Sequence, residues 1–522
     1  MVLARFMTVA LAVAGVGAAW GAPLPAAGPR TGPVTIVEVT VGGRGGVDAL
    51  TEAGYDVAHV RGNVATLYAS DAELRALEGD GFALAVVGRR PAAGAAPAKV
   101  RDGYRSYDDL TASLAAHAED YPDLCRLASL GPSVQGRELW AVLITDAPDV
   151  EEDEPEFKYL STMHGDEPVG TELCLYFIDR LLTDYGADPR ITDLVDTTAI
   201  WVVPLMNPDG YQAGTRRNAS GYDLNRSFPA YPDDFEGTVF DGEALDLTGY
   251  PREVVHVANW TMAHRFVLSA NLHTGALVVN YPYDDDGLPS GYDAPTPDDL
   301  MFEDVARRYS IHNLPMWDSG YFDDGITNGS AWYVIDGGMQ DWHYRYVSCN
   351  EVTIELSDTK APPPSALSAL WADNEASMLA FAEAVHIGVR GLVTDAATGE
   401  PLWAEVRVEG NDHPVFTDPD VGDYHRMLLP GTYTLRYAAP GYVPWTAADV
   451  VVGPGAATRV DVLLRPADLA DVNFDGRVGA VDVQLVVNAI LGRPVPYDCD
   501  LDGGGVTSTD LQIVVNAALG RV

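Results

Sequence analysis

The alternation of apolar and polar positions divides the chain into four stretches of different character. Between Val34 and Val87, short apolar or alternating runs at Val34–Val41, Tyr55–Val60, Val64–Ala69 and Phe82–Val87 predict strands, and Gly46–Ala53 and Asp71–Gly79 predict helices. Asp71 is the expected N-cap of the second helix, with Leu74 and Leu77 on one of its faces. From Tyr104 to about Val389, helical patterns such as Tyr107–Tyr121 and Val169–Tyr185 alternate with buried strand runs such as Leu139–Ile144, Ala199–Val203, Val267–Asn271 and Val352–Leu356. That alternation predicts an α/β sheet covered by helices, with reactive residues at strand ends and in the loops beyond them.

In the third stretch, short alternating strands are expected at Val389–Thr394, Ala404–Val408, Tyr433–Tyr437 and Thr458–Leu464, with Pro430-Gly431 and Pro440-Gly441 as turns between them. The fourth repeats itself: Asp482-Val-Gln-Leu-Val-Val-Asn-Ala-Ile-Leu-Gly492 recurs as Asp510-Leu-Gln-Ile-Val-Val-Asn-Ala-Ala-Leu-Gly520. Before the first copy, Asp471, Asn473, Asp475, the Arg477 carbonyl and Asp482 stand at the donor positions of an EF-hand-like calcium loop, with Gly476 at the sharp turn. The second loop offers Asp498, Asp500, Asp502 and Asp510 and runs one residue longer.

The expected architecture is therefore multi-domain. A mixed-sheet α/β domain over 104–388 is preceded by a small α+β module at 34–88 and a Pro/Ala/Gly-rich linker at 89–103. It is followed by a β-sandwich at 389–466 and an α-helical, EF-hand-like module at 468–522. Met1 to Ala22, with one arginine, an apolar run and a small-residue end, reads as a signal peptide and so predicts export. No later segment is long and apolar enough for a membrane helix. The formal charge is −43, from 33 basic and 76 acidic residues, which argues against nucleic acid and anionic membranes as partners. The four cysteines are too few and scattered for a disulfide scaffold, and Cys125 and Cys174 lie in apolar runs as expected core thiols.

Candidate chemistry concentrates in Tyr159-Leu-Ser-Thr-Met-His-Gly-Asp-Glu167, an apolar run that breaks at a glycine and offers His164 and Glu167 three residues apart. Imidazole and carboxylate both bind zinc, and catalytic zinc takes three protein ligands while leaving a position for water. His273, at the end of Ser269-Ala-Asn-Leu-His273, is the expected third ligand.

Around these ligands stand Asn207-Pro-Asp-Gly-Tyr211, Arg216-Arg-Asn-Ala-Ser-Gly-Tyr-Asp-Leu-Asn-Arg-Ser-Phe-Pro229, Asn280-Tyr-Pro-Tyr-Asp284, Gly337-Gly-Met-Gln-Asp341 and Glu351-Val-Thr-Ile-Glu-Leu356. In order and spacing, residues 104–466 resemble a zinc metallocarboxypeptidase of the N/E (regulatory) subfamily, departing near the metal at Thr274, where the subfamily often has glycine. The resemblance implies that Glu355 is the general base and that Arg216 faces the oxyanion. It also implies that Asn225 and Arg226 hold the substrate's terminal carboxylate and that Tyr333 closes over it. Asp284 and Gln340 would line a pocket for a departing Lys or Arg side chain, although a run of three aspartates at 284–286 is ordinarily a solvated loop.

By the same kind of resemblance, 389–466 is similar to a transthyretin-like domain and 34–88 to ferredoxin-like modules that precede exported proteases. The tail resembles a type I dockerin, which implies Ca2+ and a cohesin-like partner. Peptide or protein C-termini are the substrates so implied. The alternatives are a catalytically idle, calcium-dependent peptide-binding or scaffold protein, and a metallopeptidase acting on cell-wall peptides.

Overall fold

The computed structural model describes residues 34–42, 44–61, 63–90, 103–232, 234–235, 245–287, 289–467, 470–473, 475–501 and 505–519. The expected signal peptide, nearly all of the linker and Asp502 lie outside them. Two compact units result, the first ending at Arg90.

In the first unit β1 (Val34–Thr40), α1 (Arg44–Glu52), β2 (Val57–Arg61), β3 (Val64–Ala69), α2 (Asp71–Gly79) and β4 (Ala83–Arg90) follow one another. The strands form an antiparallel sheet in the order β2-β3-β1-β4, the split arrangement of a ferredoxin-like module. The cap of α2 is Ser70 rather than Asp71. Its hydroxyl accepts from Glu73 N, and the Glu73 carboxylate accepts from Ser70 N at 2.7 Å. This reciprocal pair satisfies two helix-end donors at once, which a lone Asp71 one residue later does not do.

The second unit opens with α3 (Tyr107–Asp120), β5 (Cys125–Pro132), β6 (Glu138–Ile144), β7 (Glu156–Ser161), α4 (Val169–Asp184), α5 (Pro189–Val195), β8 (Ala199–Val203) and α6 (Pro208–Ala213). It continues through α7 (Arg252–Met262), β9 (Phe266–His273), β10 (Leu277–Tyr281), α8 (Asp299–Ser310), α9 (Leu314–Trp317), β11 (Ile326–Asn328), α10 (Gly329–Trp332), α11 (Met339–Val347), β12 (Asn350–Leu356) and α12 (Leu367–Glu383). Eight strands make one mixed sheet, ordered β11-β10-β12-β9-β7-β8-β6-β5. Its central strands are buried on both faces, as strands covered by helices on two sides must be. One face packs Phe157 and Tyr159 against Phe177 and Phe381; the other packs Leu160, Val203 and Phe266 with Trp342.

Register brings distant residues level. Parallel pairing of β7, β9 and β12 sets Ser161 beside Leu272 and Glu355 beside His273, so three strands end at one rim.

The β-sandwich comprises β13 (Val389–Asp395), β14 (Glu405–Val408), β15 (Val415–Phe416), β16 (Asp423–Arg426), β17 (Gly431–Ala438), β18 (Tyr442–Val443), β19 (Trp445–Val452), β20 (Thr458–Arg459) and β21 (Val462–Pro466). One sheet runs β16-β13-β21-β18 and the other β15-β14-β17-β19. The run expected as a single strand at Thr458–Leu464 is broken into β20 and β21, which pair with successive parts of β13. The tail holds α13 (Ala480–Ile490) and α14 (Ser508–Ala518), packed through Val472, Val486, Cys499 and Val514. All four cysteines are buried and unpaired, as the apolar setting of Cys125 and Cys174 predicts. Among the described residues no helix is long and apolar enough to cross a membrane.

Candidate metal centre and substrate cleft

At the rim, the loop between β7 and α4 carries His164 and Glu167, and the end of β9 carries His273. All three are buried to 3 % exposure. The Glu167 carboxylate lies 3.1 Å from His164 Nδ1 through one oxygen and 3.0 Å from His273 Nδ1 through the other. Their donor atoms all lie within 4.8 Å of one another. Burial, followed by the neighbouring His164, pulls His273 down to about 4, which keeps its imidazole neutral and able to donate a lone pair.

The set fits zinc: two imidazoles and one carboxylate make the three protein ligands of a catalytic site, which leaves a fourth position to solvent. Around it, Asp223 Oδ1 takes the far nitrogen of His164 at 3.0 Å while its Oδ2 accepts from Arg216 Nε at 2.8 Å. Burial works to raise the carboxyls of Asp223 and Glu167. Arg216 and His164 hold Asp223 well below the usual range all the same, and Lys360 and His164 do so for Glu167. Lys360 reaches Glu167 at 2.8 Å, and the Thr274 hydroxyl donates to the Lys360 carbonyl at 2.7 Å.

Glu355 stands beside this centre, level with His273. Burial, and then the charge of Glu167, pushes its carboxyl up to about 8, and its Oε2 is buried without a hydrogen-bond partner. Among the described residues this leaves an uncommitted acceptor level with His273 and close to the charge of Glu167. Arg216 Nη1 lies 3.0 Å from His164 Nδ1 and 3.6 Å from Glu167, so its cation borders the same space.

The short helical turn Leu224–Arg226 holds Asn225 and Arg226. Asp223 caps this turn through the Asn225 N–H at 3.0 Å, and Asn225 Oδ1 accepts from Met339 N at 3.0 Å. Tyr333 follows α10 and is buried, with Arg226, Arg216, Glu355 and Asp284 as its charged neighbours. Hydrogen bonds, strand register and neighbouring charges thus link the site residues expected in the catalytic domain to one neighbourhood around the metal donors.

Asp284 departs from what its run of aspartates suggests. It is 2 % exposed, whereas Asp286 is exposed. Its Oδ1 accepts from Gln340 Nε2 at 2.8 Å and from Asn280 Nδ2 at 3.2 Å. Burial, then Asp341, pushes its carboxyl well above the ordinary range. Gln340 is 1 % exposed, and among the described residues its Oε1 has no hydrogen-bond partner.

In the tail, Asp471 accepts from the N–H groups of Asp475 and Gly476, and Asp482 from those of Asn473 and Gly479. Asp510 accepts from Leu501 and Thr507, Asp498 from Asp500, and Asp500 from Gly505. Among the described residues, neither loop brings three His, Cys, Asp or Glu ligand atoms together as the metal centre does. A second trio does meet, Asp153, Asp423 and His425, but Arg459 donates to Asp153 at 2.6 Å and Arg390 lies 3.4 Å from it, so guanidinium groups already answer that charge.

Several residues of the site carry no role in the sequence reading: Asp223, Lys360, Asn280 and Asp341. The signal for Asp223 stood two residues before Asn225 in a block already singled out; Lys360 reaches the centre only through the fold.

Residues 110–377 match the zinc carboxypeptidase family and 388–465 the carboxypeptidase regulatory-like domain. Carboxypeptidase D of Mus musculus is 41 % identical over 397 residues, 72 % of this chain but only 28 % of that protein. The carboxypeptidase N catalytic chain of Homo sapiens is 39 % identical over 394 residues, 69 % of this chain and 86 % of its own. In fold, the crystal structure of carboxypeptidase A from Helicoverpa armigera superposes with a TM-score of 0.52 at 19 % identity, covering 68 % of this chain and 98 % of that one. The chain belongs to the zinc carboxypeptidase family, with a carboxypeptidase regulatory-like domain following the catalytic one.

Proposed function

We propose that the protein is an exported zinc metallocarboxypeptidase that removes C-terminal Lys or Arg from peptides or proteins. The observation that carries this reading is the convergence of His164, Glu167 and His273 beside the unpartnered Oε2 of Glu355. His164, Glu167 and His273 would hold a zinc ion, which would supply Lewis acidity toward the scissile carbonyl and toward a water. Glu355 accepts the proton of the attacking water and passes it to the departing amine, a role its uncommitted Oε2 suits. The positive charge of Arg216, held by Asp223, faces the carbonyl oxygen as negative charge grows on it.

Asn225 and Arg226 bind the terminal carboxylate, the planar guanidinium matching it in two-point fashion, and so restrict cleavage to the last peptide bond. Tyr333 covers the bound residue. Asp284 and the free Oε1 of Gln340 receive an ammonium or guanidinium group, which an apolar side chain would leave unpaired. The pattern at Met1–Ala22 supports export.

Calcium in the two tail loops, and docking of that module to a cohesin-like partner, belong to the same proposal. They rest on the loop spacing and on the inward-turned Asp471, Asp482 and Asp510, which are 2 % exposed or less.

The test is release of the terminal residue from two matched blocked peptides, one ending in Arg and one in Phe, with and without a zinc chelator. Chelator-sensitive release of Arg is expected. No release from either peptide by the zinc-loaded protein refutes the enzyme, and equal release of both refutes the basic preference.

A further inference from the structure

The pocket assigned above to the departing side chain is built on a loop, 282–286, that α11 grips at Asp284 and Asp285, while Ala294, Asn328, Ser330 and Ile335 hold its backbone elsewhere. From the start of α11, Gln340 holds the Asp284 side chain and Asp341 holds its backbone. The Asp284 N–H lies 2.9 and 3.0 Å from the two Asp341 oxygens, and the Asp285 N–H lies 3.1 Å from the second. One turn later Arg345 donates to the Asp285 carbonyl at 2.8 Å and lies 3.5 Å from the Tyr283 ring centroid. The space around the Asp284 carboxylate is equally defined. A Cβ on Gly329 would stand 2.1 Å from its Oδ1, and one on Gly338 would stand 3.0 Å from its Oδ2. Only glycine at those two positions leaves the carboxylate where it is.

A buried carboxylate that must meet a cation gains its selectivity from being fixed beforehand, since a charge free to swing would be re-solvated or paired elsewhere. A neutral side chain at 341 could not make the same contacts. An amide in place of the carboxylate keeps one acceptor oxygen and turns an N–H toward the loop's own N–H groups.

Resting on the basic preference proposed above, we infer that Asp341 is a positioning residue for specificity: it pins the Asp284 and Asp285 peptides so that the Asp284 carboxylate faces an incoming Lys or Arg side chain. Asp341 itself touches no substrate in this arrangement, and its effect passes through Asp284.

The experiment uses the full-length, zinc-loaded protein and its Asp341→Asn and Asp341→Leu variants. It measures kcat and KM on blocked peptides ending in Arg and in Phe, with melting temperature and zinc content recorded for each. The expected result is a graded loss of the Arg-over-Phe ratio in kcat/KM, on the order of tenfold for Asn and more for Leu, carried by KM on the Arg peptide. Small misplacements of a substrate-holding group have effects of at least that size. A merely structural role would lower both peptides together through kcat, in step with melting temperature or zinc content, and that outcome overturns the inference. So does an unchanged ratio in variants that fold and hold zinc. Should Leu not fold, Asn decides. If the wild type itself cleaves both peptides equally, the basic preference has failed, and the role of Asp341 falls with it.

Discussion

Arg426 and Asp298 make the most exposed test of how the sandwich is joined to the catalytic domain. Arg426, on β16, is fully buried, and its Nη2 donates to both oxygens of Asp298, at 2.7 and 3.0 Å, just ahead of α8. Tyr344 OH and Asn411 Nδ2 complete the carboxylate's shell at 2.8 Å each. Arg426→Met would keep most of the apolar stem and remove the cation, leaving a carboxylate 4 % exposed with only two neutral donors. Stranding one charge of a buried pair costs roughly 3–5 kcal/mol, whereas replacing both partners is far milder.

The double variant Arg426→Met/Asp298→Asn is therefore expected to recover most of the loss. Because a multidomain chain need not unfold in one step, the readout is the midpoint of the first urea transition, followed by tryptophan fluorescence. The sign with pH follows from direction. Burial raises Asp298 but Arg426 overcomes it, so the folded carboxyl lies below its unfolded value of about 3.9. The pair's contribution is thus full above that value and lost as pH falls through the lower folded one. A single variant within about 1 kcal/mol of wild type, or a double variant no better than the single, would refute the argument.

Three further outcomes follow from the site and the core. Glu355→Gln keeps the three ligands and is expected to bind zinc normally, by metal analysis after dialysis, while turnover drops at least a hundredfold; retained turnover removes Glu355 from its role. Asp223→Asn weakens the hold on both His164 and Arg216, so zinc affinity measured by competition with a chromophoric chelator should fall about 10- to 100-fold. Burial pushes Cys125 and Cys349 up to about 11 and raises Cys174 further. None of the three should react with a disulfide reagent in the native protein, and all three should react in urea.

The metal centre was legible because zinc chemistry needs few residue types at short spacing and because strand ends converge in an α/β sheet. His164 and Glu167 lie in one run, and β9 ends on His273. The sandwich was less legible, for a reason in its own strands. Val415–Phe416 and Tyr442–Val443 are two residues long and carry no period, while Trp445–Val452 shifts register against β17, so its buried positions do not alternate regularly. Partners such as Lys360 and Asp341 were out of reach for another reason. Each acts on a residue far off in sequence, and no local pattern marks a lysine that ends beside Glu167 or an aspartate that caps a distant loop.

That last point changes how α11 is understood. By its pattern it is an ordinary amphipathic helix, with Met339 and Trp342 in the core. In the structure its polar positions face two different neighbours. Gln340, Asp341 and Arg345 grip the 282–286 loop, while Tyr344 bonds Asp298 and lies under the ring of His413, whose centroid is 3.9 Å from its own. His413 and Arg426 both come from the sandwich, which therefore meets α11 at Tyr344, one turn after Gln340 on the same side of the helix. Contacts on successive turns of one side tie the helix to the loop and to the sandwich together, and rigid support is what a carboxylate waiting for a cation requires. Through Tyr344 and Asp298 the β-sandwich thus braces the helix that carries the 282–286 loop.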